Sequence, residues 1–539
     1  MWETTPIPCL GIRSLKATDG PAGVRGAKWT EGSRTTFIPS GISLAATFDH
    51  DIVRRIRAVL GAEAHNKQAH VLLAPTMDLS DRNFENFGED PFLTGSLARE
   101  YITGVQSEGV GACAKHFVAN DQETRRFNMD EAIDERTLRE MYLRPFQMTL
   151  DADPWTAMYP KINGVHADCS RTLIKDILRE EWGYQGLVMS DWGGLNSTVE
   201  SIKASTDLEM PGPALRYGKA LEDAVKEGVV SEEEDINSSV LRVLKLLNRA
   251  GCWSGGSTDN PAMEIDESSV SVMDGEQMLD RSEFRATARE AAEDGIVLLK
   301  NENGLLPLRP TTLRKLAIIG PNAKTPTAGG SGSAIVNPYY VTNPYDSLVT
   351  AAKVANPQLE ITYEQGILTH LHLPLLGDIL KTPDGSAQGV QVDFYQGHQF
   401  EGGVVATTYW QDSLVYLMSD GDIPAQLKGK RFCFRARGVF TPTISGTYDF
   451  SLSNTGKAEV YVDELSIDNT EWTRICANFM NCSSPDKSAM MYLSAGRNYA
   501  FRVDSVVVPP PTRPREYALP PHCRSQRRHA DPAQQGCHV

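Results

Sequence analysis

An α/β fold is the class this sequence predicts: a TIM-like (β/α) barrel, then a partial α/β sandwich domain interrupted by an all-β sandwich module. Three observations carry that reading. Short apolar runs alternate with amphipathic stretches through the first half of the chain. Each run ends at once on polar residues. From about Gln388 the texture changes to alternating segments rich in aromatic and β-branched residues, which is the mark of strands. The expected division is 1–250 for the barrel, 251–280 for a linker, 281–386 for the partial sandwich and 387–507 for the β module. The tail, 508–539, is rich in Pro and Arg and is expected to build no core.

The elements come in order. Val71-Leu72-Leu73-Ala74, Val110 to Ala114, Trp155 to Tyr159 and Gly186 to Met189 read as buried strands, since runs this short bounded by Gly or Pro suit parallel strands covered on both faces. Asp134 is expected to cap a helix with Leu138, Met141, Tyr142 and Phe146 on one side. Ser170 is expected to cap another, with Leu173, Ile174, Ile177 and Leu178 on one face and Gly183 past its end. Strand–helix alternation implies a parallel sheet. The polar residues after the runs are Asp78, Lys115-His116, Lys161 and Asp191. In a barrel they share the C-terminal rim, where such folds place their chemistry. An open doubly wound sheet fits the pattern as well. Residues 251–280 lose the rhythm and read as a linker. A helix near Ser282–Asp294 comes next, then strands at Gly295–Leu299 and Lys315–Gly320. Val390–Phe394, Arg431–Arg435, Thr447–Phe450 and Ala458–Val462 are expected strands of the β module.

Composition bounds the function. The chain has 539 residues, 41% hydrophobic and 23% charged, with a formal net charge of −16. That charge disfavours nucleic acid or an anionic membrane as partner. No apolar run reaches the ~18 residues that span a bilayer. The opening Met1-Trp2-Glu3-Thr4-Thr5-Pro6 is not a secretory signal as it stands. The 9 cysteines are scattered, which suggests mostly free thiols; Cys476 and Cys482 are close enough to pair in an oxidising compartment. No His-Glu-x-x-His or clustered Cys/His set argues for a metal, and no cofactor motif is expected. Ile318-Ile319-Gly320 with Gly329-Gly330-Ser331-Gly332 lacks dinucleotide-binding spacing.

The chemistry is expected in two stretches. Met189-Ser190-Asp191-Trp192-Gly193-Gly194 puts an acid directly after a strand, beside a tryptophan on which a sugar ring can stack. A nucleophilic carboxylate must be ionised and fixed, and Lys115, His116 and Arg126 are candidate cations to hold it so. Asp191 capping a helix near Asn196–Ala204 is the competing reading. Lys115 to Glu123 is dense in side chains that hydrogen-bond hydroxyl groups, as sugar recognition requires.

These residues carry a resemblance. Asp19-Gly20-Pro21-Ala22-Gly23-Val24-Arg25-Gly26, Arg82-Asn83-Phe84-Glu85, Lys115 to Glu123, Ser190-Asp191-Trp192 and Leu208-Glu209-Met210-Pro211-Gly212-Pro213 resemble glycoside hydrolase family 3, and within it the fungal-type β-glucosidases. The likeness continues through Asp294 to Asn301 and Gly329-Gly330-Ser331, over roughly residues 2–360. Phe440-Thr441-Pro442, Ser445 to Phe450 and Val460-Tyr461-Val462-Asp463 are similar to a protective-antigen-type β domain inserted in some of these enzymes.

The resemblance implies a retaining, exo-acting β-glucosidase. Asp191 would be the nucleophile. Asp19, Arg82, Lys115, His116 and Arg126 would hold the terminal sugar, Tyr159 would lie near the nucleophile and Trp192 would line the pocket. Partners would be small β-glucosides or oligosaccharides, and the location secreted by resemblance, or cytoplasmic given the missing leader. The sequence departs from the pattern in four places. No glutamate stands in a matching acid/base motif, which in the resembled enzymes lies downstream of the β module. The chain begins inside a family motif, so both ends read as truncated. A short glycine-containing loop is missing between Leu79 and Arg82, and Pro160 replaces an asparagine. A non-hydrolytic sugar-binding remnant and a β-xylosidase are the competing readings.

Overall fold

The structure is a computed structural model that describes residues 2–29, 32–80, 82–122, 129–157, 161–254, 270–273, 275–330, 332–367, 373–377, 379–414, 417, 423–471 and 484–507. Five short strands lie side by side, in chain order, in one parallel sheet: β1 (Ala17–Asp19), β2 (Val71–Leu73), β3 (Gly111–Ala114), β4 (Thr156–Ala157) and β5 (Leu187–Val188). Past β5, Met189 bridges in parallel to Leu208.

The strands are apolar at nearly every position because both faces of the sheet are covered. Leu72, Ala74, Ala112, Ala114 and Val188 pack on one side with the helices α1 (His50–Asn66) and α2 (Pro91–Gln106). Ala17, Val71, Leu73, Cys113, Leu187 and Met189 turn to the other side, with Trp2, Trp29, Trp155, Trp192 and the end of α3 (Asn237–Arg249). Both α1 and α2 begin on a capping aspartate: Asp49 accepts from the amides of Asp51 and Ile52, and Asp90 from those of Phe92 and Leu93.

Two helices keep the expected pattern with a twist. The Asp134 carboxylate caps Thr137 N at 3.0 Å, but Leu138–Tyr142 is a π-helical stretch. The wider turn changes the facing of the residues within it. Leu138, Leu143 and Phe146 are buried, while Met141, expected on the same face, turns outward. Residues Arg171–Glu181 are also π-helical, with Ser170 capping Leu173 N and Leu173, Ile174, Ile177 and Leu178 buried as expected.

Two expectations for the middle of the chain change. The span read as a linker contains an antiparallel hairpin, Val270–Met273 with Glu276–Leu279. Buried Glu276 ties it to the first domain, accepting from Lys16 Nζ at 2.6 Å, Ser33 Oγ at 2.6 Å and Ala27 N at 3.0 Å. The helix Ser282–Asp294 forms as expected, but Gly295–Leu299 is not a strand. Ile296, Val297, Leu298 and Leu299 all lie in solvent, Leu299 91% exposed. A buried strand needs neighbours at its edges, and the nearby sheet has, among the described residues, only Lys315–Ile319 paired in parallel with Glu360–Glu364. The helix Pro344–Ala355 connects that pair.

The β module is antiparallel. Ala406–Trp410, Val390–Gln396, Phe432–Phe440, Tyr499–Val506, Lys457–Val462 and Leu465–Asn469 form one sheet in that order, and Gly446–Leu452 pairs separately with Lys487–Leu493. Phe394, Phe440, Phe450, Val460, Leu493 and Phe501 fill the core between them. The tail from 508 and the pair Cys476 and Cys482 lie outside the described residues.

Candidate active site

The carboxyl ends of the parallel strands converge on a cluster of charge. Asp19 closes β1. The left-handed φ of Gly20, +133°, turns the backbone there, and Asp19 Oδ1 accepts from Gly20 N at 3.0 Å. The parallel pairing of β2 and β3 extends one step beyond the strands through the bridge of Thr76 to Lys115. That pairing carries Lys115 to a position where its Nζ donates to Asp19 Oδ1 at 2.9 Å. Both side chains are buried. Burial acts to lower the pKa of Lys115, but the Asp19 and Glu85 carboxylates outweigh it and the net direction is up. The ammonium therefore stays charged.

Arg82 joins from the loop after β2. It pairs with buried Glu85, which also accepts from Thr76 Oγ1 at 2.9 Å. The Asp121 carboxylate steadies the same loop by accepting from Ser80 N at 2.9 Å. The backbone of the same stretch is tied down as well: Asn120 N donates to Asp78 at 3.3 Å.

Asp191 stands just beyond β5. Ser190 N donates to Leu208 O at 2.8 Å and Gly193 N to Met210 O at 2.9 Å. These bonds hold the backbone on both sides of the acid, and the positive φ of Gly193, +78°, makes the turn. Trp192 N donates to Asp191 Oδ1 at 2.6 Å. The other oxygen, Oδ2, faces His116 Nε2 at 4.0 Å. The Asp191 side chain is 22% exposed, so it is reachable by a ligand. It does not cap the following helix, Val199–Lys203, which has no side-chain cap. Buried Asp168 instead holds Asn196, through its amide at 2.7 Å and its Nδ2 at 3.0 Å.

His116 is gripped on its far side by Asp78, Nδ1 to Oδ2 at 2.7 Å, and both are buried. Burial and the neighbouring Asp121 push the Asp78 carboxyl well up.

Trp192 does not offer an open stacking face. It is 4% exposed and packs on Trp2 with ring centroids 5.0 Å apart. The guanidinium of Arg25 lies over Trp2 and Trp29, at 4.5 and 4.1 Å from their centroids. This makes Trp192 a wall fixed from behind. Arg126 and Tyr159 lie outside the described residues.

Sequence reasoning missed Ser333. Its Oγ accepts from Arg82 Nη2 at 2.8 Å, and its carbonyl accepts from Arg25 Nη1 at 2.7 Å. The glycine run before it was legible as a motif. Its meaning is steric: a Cβ on Gly330 would strike the ring of Phe84, so only glycine lets this loop reach the first domain.

The arrangement brings together Asp19, Arg82, Lys115, His116 and Asp191, a mixture of fixed donors and acceptors around one reachable carboxylate. Comparisons with known proteins agree on what it resembles. Residues 8–246 match the family model described as Glycosyl hydrolase family 3 N terminal domain, and residues 296–470 match Glycosyl hydrolase family 3 C-terminal domain. The chain is 38% identical over 520 residues to the probable beta-glucosidase J of Emericella nidulans, covering 94% of this chain and 58% of that protein. Beta-glucosidase B of the same organism is 38% identical with the same coverage. The crystal structure of the beta-glucosidase from Kluyveromyces marxianus in complex with glucose superposes with a TM-score of 0.81 at 31% identity, covering 94% of this chain and 60% of that one. DesR, a beta-glucosidase from Streptomyces venezuelae in complex with D-glucose, superposes with a TM-score of 0.59 at 26% identity, covering 94% and 58%. The chain thus spans less than two thirds of the length of these relatives.

Proposed function

Because this chain belongs to glycosyl hydrolase family 3, we propose that its site is built to release terminal, non-reducing β-D-glucosyl residues with retention of configuration, through a glycosyl ester on Asp191. The observation that carries the proposal is the placing of the Asp191 carboxylate. One oxygen accepts from the amide of Trp192, and the other faces His116 beside the buried Lys115–Asp19 pair.

That geometry suggests the mechanism. Lys115, Asp19, Arg82 and His116 would hold the sugar hydroxyls, charge-assisted bonds giving both strength and orientation. Asp191 Oδ2 would attack the anomeric carbon as the bond to the leaving oxygen breaks, and the leaving oxygen would take a proton. Water would then attack the same carbon, giving its proton up and freeing the Asp191 carboxylate. The ligands this suits are small β-glucosides or oligosaccharides.

The finer architecture belongs to the same proposal. The parallel strands would close as a (β/α) barrel of about 1–250, since Ala17 of β1 shares one core cluster with Leu187 and Met189 at the opposite end of the strand order. Residues 281–386 would be a partial sandwich and 387–507 a protective-antigen-type module.

A retaining mechanism uses a second carboxyl about 5–5.5 Å from the first. We assign none. General acid help is worth ~100- to 10,000-fold, and good leaving groups need least of it. The polypeptide as written should therefore act on an activated aryl glucoside and act weakly or not at all on cellobiose. Fast turnover of cellobiose would refute that. Incubation with a 2-deoxy-2-fluoro glucoside carrying a dinitrophenyl leaving group tests the core claim. The peptide containing Asp191 should gain the sugar by mass spectrometry, and Asp191→Asn should gain none. Glucose binding without any label would favour a sugar-binding, non-hydrolytic protein.

A further inference from the structure

We infer that Asp78 is a positioning residue for the nucleophile: it holds Nδ1 of His116 and thereby fixes Nε2 as the ring edge that faces Asp191. The inference rests on the reading of Asp191 as nucleophile. It starts from a bond that reading does not use. Asp78 Oδ2 lies 2.7 Å from His116 Nδ1, and the side chains are buried. Asp78 Oδ1 is occupied by Asn120 N at 3.3 Å, so the carboxyl is anchored by the same loop that carries the histidine.

An imidazole has two nitrogens, and the partner of one decides what the other can do. With the proton between Nδ1 and Asp78, Nε2 is the nitrogen that faces Asp191 Oδ2, at 4.0 Å. A second proton on the ring makes Nε2 a donor, and the ring then stands as a cation between two carboxylates. Opposite charge beside the ring favours that form, against the burial that disfavours charge here. Around Asp78 stand the charges of Asp121, Arg82 and Glu85. The lysine next to the ring, Lys115, pairs with Asp19. Among the described residues, the carboxylates that face His116 are Asp78 and Asp191. A ring held in this way keeps Nε2 aimed at Asp191, while a ring free to turn does not.

Asp78→Asn keeps the shape and removes the charge. Two readouts separate positioning from mere packing. The first is ring nitrogen NMR of protein labelled at histidine, with the His116 signal assigned from its loss in His116→Gln. In the unsubstituted protein Nδ1 should keep its proton throughout while Nε2 titrates, and in Asp78→Asn the ring pKa should fall by about one unit or more. The second is the rate of labelling of Asp191 by the fluoro glucoside as a function of pH. The maximal rate in Asp78→Asn should fall roughly 10- to 100-fold, with half-saturation within about threefold, and the limb of the profile set by His116 should move with its pKa. An Nδ1 that gives up its proton in the unsubstituted protein, or a variant with the same ring pKa and profile, would overturn the inference. Should Asp191 in the unsubstituted protein take no label at all, the glucosidase reading fails, while the NMR arm still decides whether Asp78 sets the ring.

Discussion

At the scale of single residues, the site depends on charges that cannot be removed one at a time. Lys115 and Asp19 are buried together. Removing one partner of such a pair strands the other, at a cost of about 3–5 kcal/mol. Lys115→Met should therefore lower the unfolding free energy by that order as well as abolish labelling of Asp191. Equilibrium urea unfolding checks it, and an unchanged midpoint would show that Asp19 finds another partner. His70 sets a pH dependence away from the site. Its Nδ1 accepts from Lys16 N at 2.9 Å, which requires a neutral ring. Burial, then the charge of Arg13, pushes its pKa down to about 4. The unfolded chain binds this proton near pH 6.5, so between pH 4 and 6.5 it holds more protons than the folded one. The contribution is thus intact above pH 6.5 and is lost as the pH falls toward 4, by up to about 3 kcal/mol. Unfolding at pH 7 and pH 4.5 should show that slope, and His70→Gln should flatten it.

At the scale of elements, burial separates two kinds of apolar residue that look alike in sequence. Ile174 lies fully buried in the helix after Ser170, and Ile174→Ala should cost about 2–5 kcal/mol by transfer and cavity terms. Leu299 is 91% exposed, and Leu299→Ala should change stability by less than about 0.5 kcal/mol. Unfolding of both variants side by side tests the contrast; equal losses would mean that Leu299 is covered in solution. The pair also shows what the sequence can and cannot reveal. Ile174 is legible because Leu173, Ile177 and Leu178 repeat its facing and Ser170 marks the start. Gly295–Leu299 carries the same local signal as a buried strand, but burial depends on neighbours, which no local pattern contains. Likewise the π-helical turn at Leu138–Tyr142 that moves Met141 outward has no signature in apolar spacing. Asp191, Lys115 and His116 are legible as polar residues set directly after apolar strands. Ser333 is not, because the contacts that bring it to Arg82 and Arg25 span 251 and 308 residues of sequence. Nor does a tryptophan beside an acid reveal that Trp2 covers its face.

At the scale of the whole molecule, the first domain and the hairpin behind it are joined by charge placed where water does not reach. Glu276 is buried and sits against the turn at Gly26, where a Cβ would strike it. Its oxygens accept from Lys16, Ser33 and Ala27. Lys16 also donates to Lys67 O at 2.8 Å, and Lys67 Nζ in turn donates to the carbonyl of Val24 at 2.6 Å. This network runs behind the turn that carries Asp19. Glu276→Gln keeps the volume but replaces one acceptor by a donor and leaves Lys16 without its counter-charge, a change of the kind that costs about 3–5 kcal/mol. The loss should not stay local. Hydrogen exchange should speed up first in the hairpin Val270–Met273 and Glu276–Leu279, then in the turn 19–26, before α1 and α2 respond, because those helices also share a large apolar core. Mass-resolved exchange on the full chain reads this order directly. Uniform acceleration across the first domain would mean that hairpin and sheet unfold as one unit. Unchanged exchange at the hairpin would mean that Glu276 does not fasten it.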